Sequence, residues 1–523
     1  MFLLFSLASL LQDPLSVRAD SVRPRHDALA YEVSLELPDS GARIRATVAT
    51  RWRLSSAEPI RVDLDTVFTV SRVTVDGRNA EWRRSGFQLY LPTGAATGAE
   101  VRTEIAYEGS PADGLVIRGE GSARTFFADN WPDRARKWLA SQDHPGDKAP
   151  VTWNISAPAA LTVVATGLLS SVEPAPGNRR TWHFAIEEPT PVHTMVVGAA
   201  RLATAQVGRG GCPDRCIKVS VVSYPQDSAW AVDGPFKRSA EMVDVFTRLF
   251  GTFPYGELRH VQTSTIFGGM ENSTAIFYSD KAWSAHNLGE GIVAHETAHQ
   301  WFGDAVSQSD WHHVWLSEGF ATYSAALWTE YKGGMPALRT EMQSNARTVR
   351  AAAVRNRPIL DTAETKLMAL LNANSYPKGS WVLHSLRGLM GDSAFFRGLR
   401  TYYARYRNGN ALSRDFADVM NTAAGQNLDW YFTQALTQPG FPIFAVRTSA
   451  RADSVTVELD QVQDAAWGLY RLSGLVVDLG GKRVTMDASG KVTRATFGKP
   501  GNWTGKVTLD PDTWWLYDVR EGQ

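Results

Sequence analysis

"AHETAHQWF", residues 294–302, sets His295 and His299 four positions apart with Glu296 directly after the first of them. On a helix, positions four apart differ by about 40° around the axis, so both imidazoles leave one face. Zinc accepts imidazole nitrogen at about 2.0–2.1 Å, and two such ligands one turn apart fit a tetrahedral metal. Glu296 can lie beside that metal without joining it, which suits a general base acting on water. The motif alone does not say whether chains are cut internally or trimmed at their ends, nor that the bond is a peptide.

A catalytic zinc usually keeps three protein ligands and one open position. Glu318, in "VWLSEGFATY" (314–323), is the preferred third ligand. It opens a second helical pattern, and Gly319 after it permits a close helix approach. Asp304, Asp310, His312 and His313 rank lower, because the connection "DAVSQSDWHH" (304–313) reads as loop.

Around this motif the chain has 523 residues, enough for about three domains. Lys+Arg and Asp+Glu both number 54, and no polybasic tract appears, so the electrostatic footprint of a nucleic-acid binder is missing. The 18 tryptophans are expected mostly in sheet packing. Residues 2–11 are apolar but shorter than the ~20 residues a bilayer span needs. With Ala19 as the cleavage position, residues 1–19 read as a signal peptide, implying export to a periplasmic or extracellular space; the alternative is a cytoplasmic protein. No later segment is long and apolar enough for an integral membrane span. Cys212 and Cys216 flank a Pro-Asp turn and are expected to form a disulfide in an oxidising compartment.

The pattern along the chain divides it. "YEVSLEL" (31–37) alternates, and Asp76-Gly77 marks a hairpin, giving an all-β N-terminal domain over 20–208. Phe236, Ala240, Val243 and Phe250 then fall at helical spacing, and helical patterns dominate to about residue 436, giving a domain over 209–440. After "TQPGFP" (437–442) alternation returns, with a turn at Gly480-Gly481, giving a small C-terminal β-sandwich module over 441–523. The class is multidomain α+β.

Taken together, "GGMEN" (268–272), "HETAH" (295–299) and "WLSEGFA" (315–321) resemble the aminopeptidase N family of zinc metallopeptidases, gluzincins that include the leukotriene epoxide hydrolase. "DRARKWLASQDHPGDKAP" (133–150), "FGTFPYGEL" (250–258), "YPKGSWVL" (376–383) and "QPGFP" (438–442) resemble family segments in family order. The resemblance implies a thermolysin-like mixed α/β catalytic domain dominated by helices. It also implies one zinc ion on His295, His299 and Glu318, the last at the family spacing of 19 residues beyond the second histidine. Glu296 would be the base for water attack, and Tyr376 the oxyanion donor, with Tyr323 a weaker competitor. Gly268, Gly269, Met270, Glu271 and Asn272 would bind substrate, Glu271 pairing with a free α-ammonium. The glycines would let the substrate backbone approach, and Met270 and the surroundings of Trp131 would contact the first side chain. The implied activity is removal of N-terminal residues from peptides. Its alternatives are an epoxide hydrolase of the lipid branch or an inactive binding protein on the same fold.

Two features depart from the family pattern. Trp131 stands where members carry a Gln or Glu that assists amine binding, leaving Asp129 or Asn130 as possible substitutes. The large helical domain with which many relatives end is expected to be absent after the β module.

Overall fold

The computed structural model describes residues 13–501 and 503–520. The N-terminal part is β-rich and centres on an eight-stranded sheet. Its strand Asp27–Glu36 pairs parallel with Lys148–Pro158 and antiparallel with Ile44–Arg53. The period-two pattern buries Tyr31, Val33 and Leu35 on one face, and Leu37 follows them. Asp76 and Gly77 both take positive φ, as a two-residue primed hairpin turn requires, and join Thr69–Val75 to Arg78–Asn79. Trp52, Trp138 and Trp153 are fully buried in this part, consistent with sheet packing.

The sheet that carries the site comprises β1 (Ala203–Gly210), β2 (Ile217–Ser223), β3 (Glu257–Thr263), β4 (Gly269–Met270) and β5 (Ala275–Ser279), in the order β1-β2-β3-β5-β4. Cys212 and Cys216 are joined by a disulfide in the β1–β2 connection. The short edge strand β4 pairs antiparallel with β5, Gly269 opposite Tyr278 and Met270 opposite Phe277. Helices α1 (Ser239–Phe250) and α2 (Glu290–His299) pack on the sheet, α3 (Trp315–Ala351) packs on α2, and α4 (Gly379–Met390) packs on α3. On α1, Met242, Val243, Phe246 and Phe250 are buried at helical spacing. Beyond the helices, two small sheets of four and three strands form the C-terminal β module, with Gly480 and Gly481 at positive φ in one turn. Among the described residues no helix is long and apolar enough to cross a membrane.

Helix α3 is broken at Gly334 (φ 69°, ψ −171°), two residues before Pro336. Only glycine tolerates that backbone at little cost, and proline suits the first turn of a restarted helix. In the second half, Leu338, Met342, Ala346 and Val349 form a buried stripe. This half is tied to the C-terminal module: Arg339 pairs with Asp512 at 2.6 Å, and Arg350 donates to the Tyr517 carbonyl.

Residues 1–12 of the expected signal segment lie outside the described residues. Residues 13–19, on the leader side of Ala19, are packed on the helical domain. Leu15 is fully buried, Asp13 pairs with Arg414 at 2.7 Å, and the Val17 carbonyl accepts from His313 Nε2 at 2.7 Å. Asp20 continues the contact. Its Oδ2 accepts from the Trp311 amide and from His144 Nε2, and its Oδ1 lies 3.3 Å from His312 Nδ1. His312 Nε2 donates to the Glu364 carbonyl and Nδ1 to Asp310 Oδ1.

Burial opposes charge on His312, yet Asp20, Asp310 and the Glu364 carbonyl raise its pKa to about 10. A raised folded pKa stabilises fully below about 6.5 and is lost as pH rises through about 10. For Asp20, burial is outweighed by His144, His312 and the Trp311 amide, which lower its pKa below 3.8, so its contribution is lost only in acid. The native protein should therefore exceed His312→Gln in melting temperature most between about pH 4 and 6.5, the margin shrinking towards pH 10. Thermal unfolding of both proteins across that range checks the sign; a margin that widens above pH 7 contradicts it.

Candidate metal centre

His295 and His299 leave the same face of α2, and their Nε2 atoms are 3.0 Å apart. Glu318, in the first turn of α3, places Oε2 3.3 Å from each of them. The approach of α3 depends on Gly319. A Cβ there would lie 2.9 Å from the Cα and carbonyl carbon of Gly379, at the start of α4. His299 Nδ1 faces the Phe302 carbonyl at 3.1 Å and the Ser317 hydroxyl at 3.0 Å. A proton on Nδ1 satisfies that carbonyl and leaves the Nε2 lone pair pointing at His295 and Glu318.

Such a triangle fits a cation. Tetrahedral ligands at the usual zinc distances sit about 3.3 Å apart, close to the separations found here. Glu318 Oε2 is buried and makes no hydrogen bond. Burial, together with the carboxylate charges around them, pushes the pKa of Glu271 and Glu296 up. Burial opposes charge on His299, and the surrounding carboxylates nevertheless raise its pKa. Three buried carboxylates around two imidazoles are a pocket short of positive charge, which a divalent cation would supply.

The remaining groups of the resemblance converge on the same cavity of about 400 Å³, lined by Met270, Glu271, Glu296 and Tyr376 among others. Ligand atoms of Glu271, Glu296 and His299 lie within 4.8 Å of one another. Tyr376 stacks on the His295 ring, with centroids 5.9 Å apart and planes 12° from parallel. Burial first, then the nearby carboxylates, push its phenol pKa up, so it keeps its proton and remains a donor. It sits on a single π turn, Asn374–Lys378, fastened by Asn374 to the Val354 and Arg357 carbonyls. Tyr323, the competitor, is buried against His384 at 3.2 Å and does not line the cavity.

The glycines divide their roles. Gly268 and Gly269 line the cavity, but a Cβ on Gly269 would lie 2.3 Å from Glu296 Oε1. The space beside Gly269 is thus filled by the Glu296 carboxylate. Asn272 is buried, with neither amide atom bonded.

The lower-ranked candidates lie elsewhere. Asp310, His312 and His313 hold the N-terminal segment, and Asp304 accepts from Gln300 Nε2 at 2.9 Å. Gln300 itself carries no sequence signal beyond following His299. It joins the strand segment to the helix by donating to the Glu271 carbonyl and accepting from the Thr274 amide.

Trp131 is buried against Trp311 and Phe267, with centroids 5.1 and 6.3 Å away. Asp129 pairs with Arg134 at 2.8 Å. Asn130 donates to the Met195 carbonyl and accepts from Trp138. None of the three lines the cavity.

Residues 236–434 match the model of the peptidase family M1 domain. Over 410 residues the chain is 25% identical to the aminopeptidase N of Streptomyces lividans, covering 69% of this chain and 46% of that protein. It is 23% identical over 452 residues to the probable aminopeptidase 2 of Sulfurisphaera tokodaii, covering 81% of this chain and 56% of that one. The chain thus spans about half the length of these curated relatives. An M1 zinc metallopeptidase from Deinococcus radiodurans has a similar fold, with a TM-score of 0.71 at 23% identity over 80% of this chain and 95% of its own. A mutant of that protein bound to the substrate Tyr-Ser-Ala matches with a TM-score of 0.69, at 23% identity over 80% of this chain and 97% of its own. Motif order and these matches converge: residues 236–434 match the peptidase family M1 domain, and the chain is similar in sequence to aminopeptidases and in fold to an M1 zinc metallopeptidase.

Proposed function

We propose that the chain removes N-terminal residues from peptides as a zinc-dependent aminopeptidase. The observation that carries this reading is the placement of Glu271 in one cavity with Glu296 and the His295–His299–Glu318 triangle. His295, His299 and Glu318 would hold one zinc ion. Bound there, zinc supplies Lewis-acid polarisation of the scissile carbonyl and lowers the pKa of water.

The chain's own groups do the rest. Glu271 pairs with the α-ammonium, so only a true chain end places a positive charge beside it. Glu296 accepts the proton of the attacking water and returns it to the leaving amine. The Tyr376 phenol donates to the carbonyl oxygen as negative charge develops on it. Gly269 leaves room for the Glu296 carboxylate. The products are one amino acid and a peptide shortened by one residue.

Acetylating the substrate amine removes the charge that Glu271 pairs with. Loss of one charge-assisted contact should slow cleavage at least about tenfold. Amino-acid release from free and acetylated forms of the same peptide tests this, with zinc content measured in parallel. Equal rates would overturn the exopeptidase reading, and a fully active metal-free protein would overturn the zinc reading.

A further inference from the structure

The cavity holds a fourth carboxylate, Glu341, which the proposed chemistry does not use. It lies on the second half of α3, beyond the break at Gly334. Asn345, one turn further on, donates to Ser380 Oγ at 3.4 Å. Ser380 begins α4 just after the turn that carries Tyr376. Glu341 therefore stands on the Tyr376 side of the cavity, where Leu371 and Tyr376 also line the wall.

Among the described residues Glu341 makes no ion pair, and no Lys or Arg lines the cavity. Arg339 and Arg350 of the same helix are engaged with the C-terminal module. A divalent zinc and one α-ammonium match the charges of Glu271, Glu296 and Glu318. The charge of Glu341 is left over.

Resting on the aminopeptidase reading above, we infer that Glu341 determines specificity, favouring a cationic side chain on one of the two residues that flank the scissile bond. A half-buried carboxylate with no competing cation attracts such a side chain with the strength of a partly screened ion pair. A neutral side chain there would leave Glu341 unpaired.

The test uses the zinc-loaded full chain and two peptide series. In one the first residue is Arg, Lys, Gln or Met before alanine; in the other these residues follow an N-terminal alanine. The native protein should favour the cationic over the neutral members of one series by about fivefold in kcat/KM. Glu341→Gln should cancel that ratio and Glu341→Lys invert it, with zinc content unchanged and cleavage of neutral peptides within about twofold of native. The ratio should also shrink with added salt. Unchanged cationic-to-neutral ratios in both series for Glu341→Gln would overturn the inference while leaving the aminopeptidase reading intact. Failure of the native zinc-loaded chain to cleave any member would overturn that reading, and the inference with it.

Discussion

Glu296→Gln should keep its zinc and lose about a thousandfold in kcat. The amide has the shape of the carboxylate, so the tight contact with Gly269 survives. His295 and His299, which leave α2 one residue before and three after, keep their partners. What disappears is an acceptor able to take a proton from water and return it to the leaving amine. Zinc analysis and turnover of an aminoacyl reporter check the two halves of this statement. A variant with full zinc and native turnover would show that Glu296 is not the base.

Gly269→Ala should cost about a hundredfold in kcat without loss of zinc. The added Cβ would stand 2.3 Å from Oε1 and 2.5 Å from Cδ of Glu296, where real Cβ contacts stay beyond 3 Å. Gly269 is not in the left-handed region, so the substitution introduces no backbone strain of its own. Either the edge strand or the carboxylate must move by about 1 Å, and a displacement of that size at a catalytic group has this order of effect. Gly268→Ala is the control. Its Cβ would meet only the end of the Ile292 side chain at 3.1 Å, which can turn aside. Steady-state kinetics on both variants separate a crowded base from general damage to the strand; equal losses would rule out the specific clash.

The parts of this site that the sequence reveals are those fixed by helical periodicity. His295 and His299 share a face because they are four apart, and Glu318 was preferred because a helix begins beside it. Glu271 and Tyr376 came from resemblance alone, since nothing in local spacing says that an edge strand and a π turn meet at one cavity. The free space at Gly269 was expected to serve substrate, but Glu296 occupies it, which only the packing of β4 on α2 reveals. Trp131 stands out by counting against the family pattern, and it packs between Trp311 and Phe267, so that Phe267 lines the cavity and Trp131 lies behind it. Glu341 lay beyond sequence reading, because its position depends on how the chain continues after a break inside a helix.

The broken helix also separates two properties of the protein. The first half of α3 carries Glu318 in the body that holds the metal ligands, while the second half is fastened to the C-terminal module and brings Glu341 to the cavity. On the proposed reading, chemistry and choice of substrate therefore share the Asn345–Ser380 contact, but the second also rests on the C-terminal module. Changes in the C-terminal sheets could retune which peptides are accepted while the catalytic groups stay where they are, so diversification of this architecture has a route that does not pass through the active site.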